Sequence, residues 1–325
     1  MARLYVPLAT KSCFAGVRLQ GCSGMASMSA TPTGLVAADC SLSRSRGTHR
    51  LVASLVGAVF FALAKRRTAR CADGGCHELP VLLEDDHVLV VNKPAGLLSQ
   101  AAQRGDDTLV ARARAYLGGK DNRLNGERFV GLTHRLDRDV SGVCALAKTP
   151  DAARCLATQF AERTVRKQYI GVVRRWTGKL DAVRVLRHNM HVDDTGQAHE
   201  VSPGSEGSRD AALECWPLCT GPSGVTAVLV KLLTGRRHQI RFQLAAIESP
   251  LLGDRRYGRG ARDGSRRWVQ RPALHSWKLR FAHPAVPHAP CDVTAPLPND
   301  MAALFTAVKI EPRRVIEKAM ARSDT

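Results

Sequence analysis

The stretch "GLTHRLDRDVSGVCALAKTP", residues 131–150, sets His134, Arg135, Asp137, Arg138 and Asp139 within six positions and then runs into an apolar segment. A surface loop needs charge, but not this order of it. A loop that meets an anionic ligand with its arginines, and holds one carboxylate at the edge of a sheet, does. "VCALAKT", 143–149, predicts the strand that anchors this loop. Thr149-Pro150-Asp151 then predicts a helix start, with Thr149 as N-cap and Pro150 at the first helical position. Leu156 and Phe160 give that helix its apolar face.

Working outward, "VLLEDDHVLVVNKPAGLLSQ", 81–100, places an acidic turn before the run "VLVV" and ends it at a turn enforced by Pro94 and Gly96. In "DDTLVARARAYLGG" the spacing of Leu109, Ala113 and Leu117 predicts a helix stopped by Gly118-Gly119. "RKQYIGVV", 166–173, and "GVTAVLVKLLT", 224–234, read as strands. "RRHQIRFQLAAI", 236–247, reads as a helix with Ile240, Leu244 and Ile247 inward. "PGSEGSRD" and "RGARDGSRR" read as loops, and "KIEPRRVIEKAMARSDT" as a tail or a loosely docked helix. Strands and helices follow no steady alternation, which favours an α+β sheet domain over a doubly wound one.

The formal net charge is +19, of which +7 lies in residues 1–80 and +12 in the remainder. The body is therefore basic in its own right, and a polyanion, nucleic acid first, is the partner this charge fits. Aromatic residues make up 5% of the chain, too few for a protein that reads single strands by stacking many bases. The ten cysteines form no disulfide framework, and Cys71, Cys76 and His77 lack a second ligand pair at zinc spacing, so no metal site is expected.

No acidic residue precedes Asp39, and residues 1–50 are rich in Ser, Ala, Arg and Gly, the composition of an organellar transit peptide. "LVASLVGAVFFALA", 51–64, is short for a membrane span and resembles the apolar region of a signal peptide, with a single membrane anchor as the alternative. The expectation is a targeting leader over 1–78, a plastid or mitochondrial address, and no stable membrane association once the leader is removed. A catalytic domain over 79–300 and a C-terminal extension over 301–325 complete the division.

"VNKPAG" at 91–96, "HRLDRD" at 134–139 and "TGRRHQIR" at 234–241 each read alone as a hydrated loop or helix end. In this order and spacing, together with "ERTVRKQYIGVV", "ESPLLGDRRYG", "ALHSWKLRFAHP" and "APLP", they resemble the RluA-type RNA pseudouridine synthase family over about residues 79–300. The resemblance implies an α+β fold with a mixed, largely antiparallel sheet, flanked by helices and loops around a central cleft. It implies isomerisation of specific uridines in ribosomal or transfer RNA, with no cofactor and no metal.

By the same resemblance, Asp137 matches the catalytic aspartate, Tyr169 the tyrosine that packs on the target base, and Arg241 the basic residue paired with the catalytic carboxylate. The residue types suit the reaction. A carboxylate attacks the sugar or stabilises positive charge there, as in glycosidases. An adjacent Arg favours its charged form, and an aromatic face holds a free base without fixing one orientation.

Around these, Lys93, Arg135, Arg138, Lys167, Arg236, Arg237 and His238 are expected to contact RNA or to brace the loops, and His134 to be an architectural hydrogen-bond partner. Asp139 reads as a solvated or RNA-facing carboxylate. Val140 stands where many members have Thr, which removes a hydroxyl and its local hydrogen bond but leaves the nucleophile, and Ser99-Gln100 stand where many have His. The reading from a different class is a non-catalytic RNA-binding or ribosome-assembly factor on the same fold. Binding alone would not need Asp137, Tyr169 and Arg241 together.

Overall fold

The computed structural model describes residues 79–323, apart from 102, 104, 119–128, 259–268 and 287–288, with the backbone of short strands at 5–7, 28–30, 35–38 and 68–69. The apolar run 51–64, the Cys71–His77 cluster, the loop "RGARDGSRR" and most of the expected leader lie outside these residues. Residues 1–58 form one unit, in which β1 (Tyr5–Pro7), β2 (Met28–Ala30) and β3 (Leu35–Ala38) pair antiparallel in the order β1-β3-β2. No helix among the described residues is long and apolar enough to cross a membrane.

The second unit, residues 59–325, is built on one large sheet. Its strands are β4 (Thr68–Ala69), β5 (Leu79–Glu84), β6 (Val88–Lys93), β7 (Gly131–Leu132), β8 (Ser141–Ala147), β9 (Arg166–Val173), β10 (Arg184–Val192), β11 (Ala198–Glu200), β12 (Arg209–Thr220), β13 (Thr226–Leu232), β14 (Leu274–Ala282) and β15 (Pro290–Thr294). They run in the order β11-β10-β12-β13-β9-β14-β8-β6-β5-β4, with β15 added to β14 and β7 to β8. Among the described residues, β8–β14 is the one parallel strand pair. The helices are α1 (Leu109–Gly118), α2 (Pro150–Ala161), α3 (Gln239–Ala246), α4 (Asn299–Ala307) and α5 (Pro312–Ala321).

Strand β8, directly behind the 134–139 loop, is buried at all seven positions, as its unbroken apolar run requires of a strand covered on both faces. It ends the loop at a close crossing. Gly142 sits at φ +119°, and a Cβ there would lie 2.1 Å from the Ser276 carbonyl of β14. Helix α2 starts as expected, with the Thr149 hydroxyl accepting from the Ala152 N–H at 3.1 Å. Such a cap is worth about 1 kcal/mol.

Side chains alternate across β9, and this separates two cores. Tyr169 packs on one face with Leu136, Val140, Ile240 and Leu244. Ile170 and Val172 pack on the other with Trp277, Met301, Leu304, Phe305, Val315 and Ala319. Of the two readings of the C-terminal segment, tail or loosely docked helix, it is a helix, α5, and it is firmly docked beside α4. Val315 and Ala319 are fully buried, and the Lys318 Nζ donates to the Leu218 carbonyl at 2.7 Å. The polar residues that suggested a tail occupy the outer face of α5. The helix read from 236 begins only at Gln239; polar residues interrupt the apolar pattern of β10, β12 and β14, outward in β10 and at the ends of β12 but buried at His275 and Ser276 in β14.

Candidate active site

A chain-distant loop, residues 93–99, holds the 134–139 segment. The Lys93 side chain is fully buried, and its Nζ donates to the carbonyls of Pro94, Leu97 and Arg138 at 3.0, 2.7 and 3.0 Å. The Gly96 N–H donates to the Arg138 carbonyl at 2.8 Å, and the Arg138 Nε returns a bond to the Gly96 carbonyl at 3.0 Å. Ser99, one of the departures from the family pattern, donates to the Leu136 carbonyl at 2.8 Å and accepts from its N–H at 3.2 Å. Lys93 is thus a buried brace that holds three loop carbonyls. Desolvation lowers its pKa to about 8, and the nearby Cys144, Asp137 and Asp139 oppose that shift.

His134 is likewise architectural. Its Nε2 accepts from the Ala145 N–H at 2.9 Å and its ring stacks on Phe160 at 4.7 Å. Desolvation, then Lys167, pushes its pKa down to about 3, so the ring is neutral at working pH. Lys167 extends over the other side of that region, its Nζ 6.0 Å from the Phe160 ring centre. Arg135, Arg138, Asp139 and Arg237 are exposed. Arg236 braces the start of α3, its Nε donating to the Asp210 carbonyl at 2.9 Å.

Asp137 is left half-buried at the end of this braced loop, and α3 brings two groups to it. The Arg241 Nη1 lies 3.5 Å from Asp137 Oδ2, and the His238 Nε2 lies 3.9 Å from the same oxygen. The turn before α3 explains the approach. The buried Gln239 accepts from the Thr234 hydroxyl at 2.8 Å and the Arg236 N–H at 2.9 Å. His238 then takes a left-handed conformation, φ +57°, one His adopts more readily than most residues, and its side chain turns back towards Asp137.

Arg241 does not face Asp137 alone. Its Nε and Nη2 hold both oxygens of Asp254 at 2.7 and 2.9 Å, and its guanidinium lies 5.3 Å from the ring centre of Tyr257. Burial works against its charge, but the Asp254 bonds and the two carboxylates raise its pKa above the ordinary arginine value. Asp254, one-hundredth exposed, also accepts from the N–H groups of Arg256 and Tyr257 at 3.0 and 3.1 Å. Asp254 and Tyr257 were not singled out in the sequence. The signal available was the "GDRRYG" run, whose Gly253 is at φ +73° and whose Gly258 has no room for a Cβ, the Asp254 carbonyl lying 2.4 Å from it.

Tyr169 is buried beside Ser276 on the same sheet face and senses the Asp137 charge. Burial raises its phenol well above the ordinary value, so Tyr169 offers a ring and a protonated hydroxyl rather than a phenolate. A further brace missed from the sequence is Arg271. It pairs with Asp300 at 2.7 Å and donates to the Asp139 carbonyl at 3.2 Å, tying the far end of the loop to α4.

Residues 87–246 match the family model described as RNA pseudouridylate synthase. A ribosomal large subunit pseudouridine synthase D from Xanthomonas campestris pv. campestris is 35% identical over 257 residues, covering 74% of this chain and 72% of its own length. The chain belongs to the RluA-type RNA pseudouridine synthase family. It is accordingly an RNA pseudouridine synthase, with the α+β fold of that family. A synthase C from Vibrio vulnificus is 32% identical, covering 70% of this chain and 69% of its own. Among solved structures, the human RNA pseudouridylate synthase domain containing 1 superposes with a TM-score of 0.58 at 24% identity, over 77% of this chain and 98% of its own.

Proposed function

We propose that this pseudouridine synthase acts on a uridine of large-subunit ribosomal RNA, with Asp137 as nucleophile. The observation that carries the assignment of Asp137 is the convergence on it of Arg241, itself clamped by the buried Asp254, at a half-buried position. In the reaction a carboxylate oxygen of Asp137 attacks C1′ and the N1–C1′ electrons leave with the uracil. The base rotates, C5 forms the new bond to C1′ as the carboxylate departs, and the C5 proton is lost while N1 gains one. The Tyr169 ring supplies the face on which the free uracil turns. The target must leave its stack to reach this pocket, at a cost of a few kcal/mol, which the basic body and the exposed Arg135, Arg138 and Arg237 offset through phosphate contacts.

The choice of RNA rests on the names of the bacterial relatives, which are ribosomal large subunit synthases. The test is tritium release from large-subunit ribosomal and transfer RNA transcripts labelled at uridine C5, for the parent chain and Asp137→Asn. Release from the ribosomal transcript by the parent alone is the expected result. Release only from transfer RNA would overturn the substrate, and equal release by the variant would overturn the nucleophile. Binding without release would favour the RNA-binding or assembly factor.

The basic, acid-poor first fifty residues further support a plastid or mitochondrial location. A fluorescent fusion to residues 1–78 that stays in the cytosol would remove that reading.

A further inference from the structure

A short chain of polar contacts runs from strand β11 to the nucleophile. The Ala198 N–H donates to the Tyr257 hydroxyl at 2.8 Å. That bond occupies one lone pair of the hydroxyl, and the hydroxyl proton has His238 Nδ1 as an acceptor at 3.0 Å. An Nδ1 that accepts fixes the tautomer of a neutral imidazole, with the remaining proton on Nε2. Nε2 is the atom that faces Asp137 Oδ2 at 3.9 Å. The ring is held neutral by its surroundings. Burial lowers its pKa, and Arg241, Arg237 and Arg256 add to this against the opposing Asp137.

His238 is too enclosed for the phosphate-contact role considered from the sequence, its side chain being only one-tenth exposed. Its Nε2–H and the Arg241 Nη1 converge on one oxygen, and among the described residues no partner is assigned to Oδ1. The Arg241 contact is a long hydrogen bond and the His238 contact lies just beyond one, as catalytic contacts commonly do before the substrate seats.

We propose that His238 is a positioning residue of the isomerisation: its Nε2–H, with the tautomer set by Tyr257, orients the Asp137 carboxylate so that Oδ1 faces the sugar. The assignment rests on Asp137 being the nucleophile. The β10–β11 turn is the outer support of this chain. Arg256 Nη1 donates to the Thr195 carbonyl at 3.2 Å, and a Cβ on Gly196 would meet the Arg237 guanidinium at 2.6 Å.

The test is the rate of tritium release from C5-labelled large-subunit ribosomal RNA by the full chain carrying His238→Asn, His238→Gln, Tyr257→Phe or His238→Asn with Tyr257→Phe. Asn is at ease at φ +57° but falls short of Oδ2, whereas the Gln amide reaches the position of Nε2. The expected result is a fall in kcat of about 10- to 100-fold for His238→Asn and Tyr257→Phe, with KM within about twofold. His238→Gln recovers most of the loss, and the double variant is no slower than His238→Asn alone, because the two residues act through one contact. A raised KM with unchanged kcat would make His238 an RNA contact. Failure of Gln to rescue, or losses that multiply in the double variant, would equally overturn the proposal. A parent chain that binds RNA without releasing tritium would instead overturn the synthase reading on which the proposal stands.

Discussion

Arg241 reaches Asp137 with one amino group because its other two guanidinium nitrogens are held by Asp254, at 2.7 and 2.9 Å against 3.5 Å for the Asp137 contact. The tighter pair is the buried one, so Asp254 sets the direction of the cation and Asp137 receives what remains. A planar fork held at one edge has little freedom at the other.

Asp254→Asn therefore damages both stability and activity. Removing one partner of a buried pair leaves an uncompensated charge, at about 3–5 kcal/mol. Urea unfolding of the variant should show a loss of that order. Tritium release should fall through kcat, since Arg241 loses its orientation while the exposed arginines still bind RNA. An unchanged urea midpoint would show that the pair is not the clamp its geometry indicates.

Lys93→Met tests the brace between the two loops through its pH dependence. Burial lowers the Lys93 pKa from 10.5 to about 8, so between these values the unfolded chain binds more protons than the folded one. The contribution of Lys93 to stability therefore rises with pH across that window. Cys144, raised to about 12 by burial, pulls the other way above its ordinary value. The informative quantity is thus the difference between parent and variant. Chemical denaturation at pH 7.5 and pH 10 should show the parent gaining on the variant, by on the order of 3 kcal/mol for a shift of this size. A constant difference would mean that Lys93 is not desolvated.

His134 predicts behaviour at the acid side. Its folded pKa of about 3 lies below the ordinary 6.5, so the unfolded state takes up the proton first, and stability is lost as pH falls from about 6.5 towards 3. His275, lowered to about 4 by burial, adds to the same slope. His134→Gln keeps an acceptor for the Ala145 N–H and removes one titrating group. Its thermal midpoint should accordingly fall less steeply between pH 6.5 and pH 4.5 than that of the parent, and parallel slopes would contradict the assignment.

Gly142→Ala places a methyl group 2.1 Å from the Ser276 carbonyl at a backbone angle that side chains avoid. Two backbones of one sheet meet here, so neither can yield cheaply. The variant should be strongly destabilised, by several kcal/mol, and a thermal melt within a few degrees of the parent would show that β8 and β14 can separate.

Much of this protein was legible along the chain. The apolar run of β8, the Thr149 cap, strand β9 and the burial of Leu109, Ala113 and Leu117 follow from local period and capping chemistry, which act over a few residues. The polar motifs marked where chemistry gathers. Their partnerships were not legible, because Asp137 and Arg241 are 104 residues apart, and Lys93 and Arg138 are 45 apart.

The sequence by itself determined the class of fold, the polar segments that meet, and the residue types they bring. Tertiary structure decided what each one does there. It buried Lys93 under the loop, turned His238 inwards from a left-handed position, and gave the stronger hold on Arg241 to Asp254. It also docked the C-terminal helices onto the sheet face opposite the Asp137 loop. These outcomes depend on which strands lie side by side and on how much water their packing removes, and no local pattern carries that information.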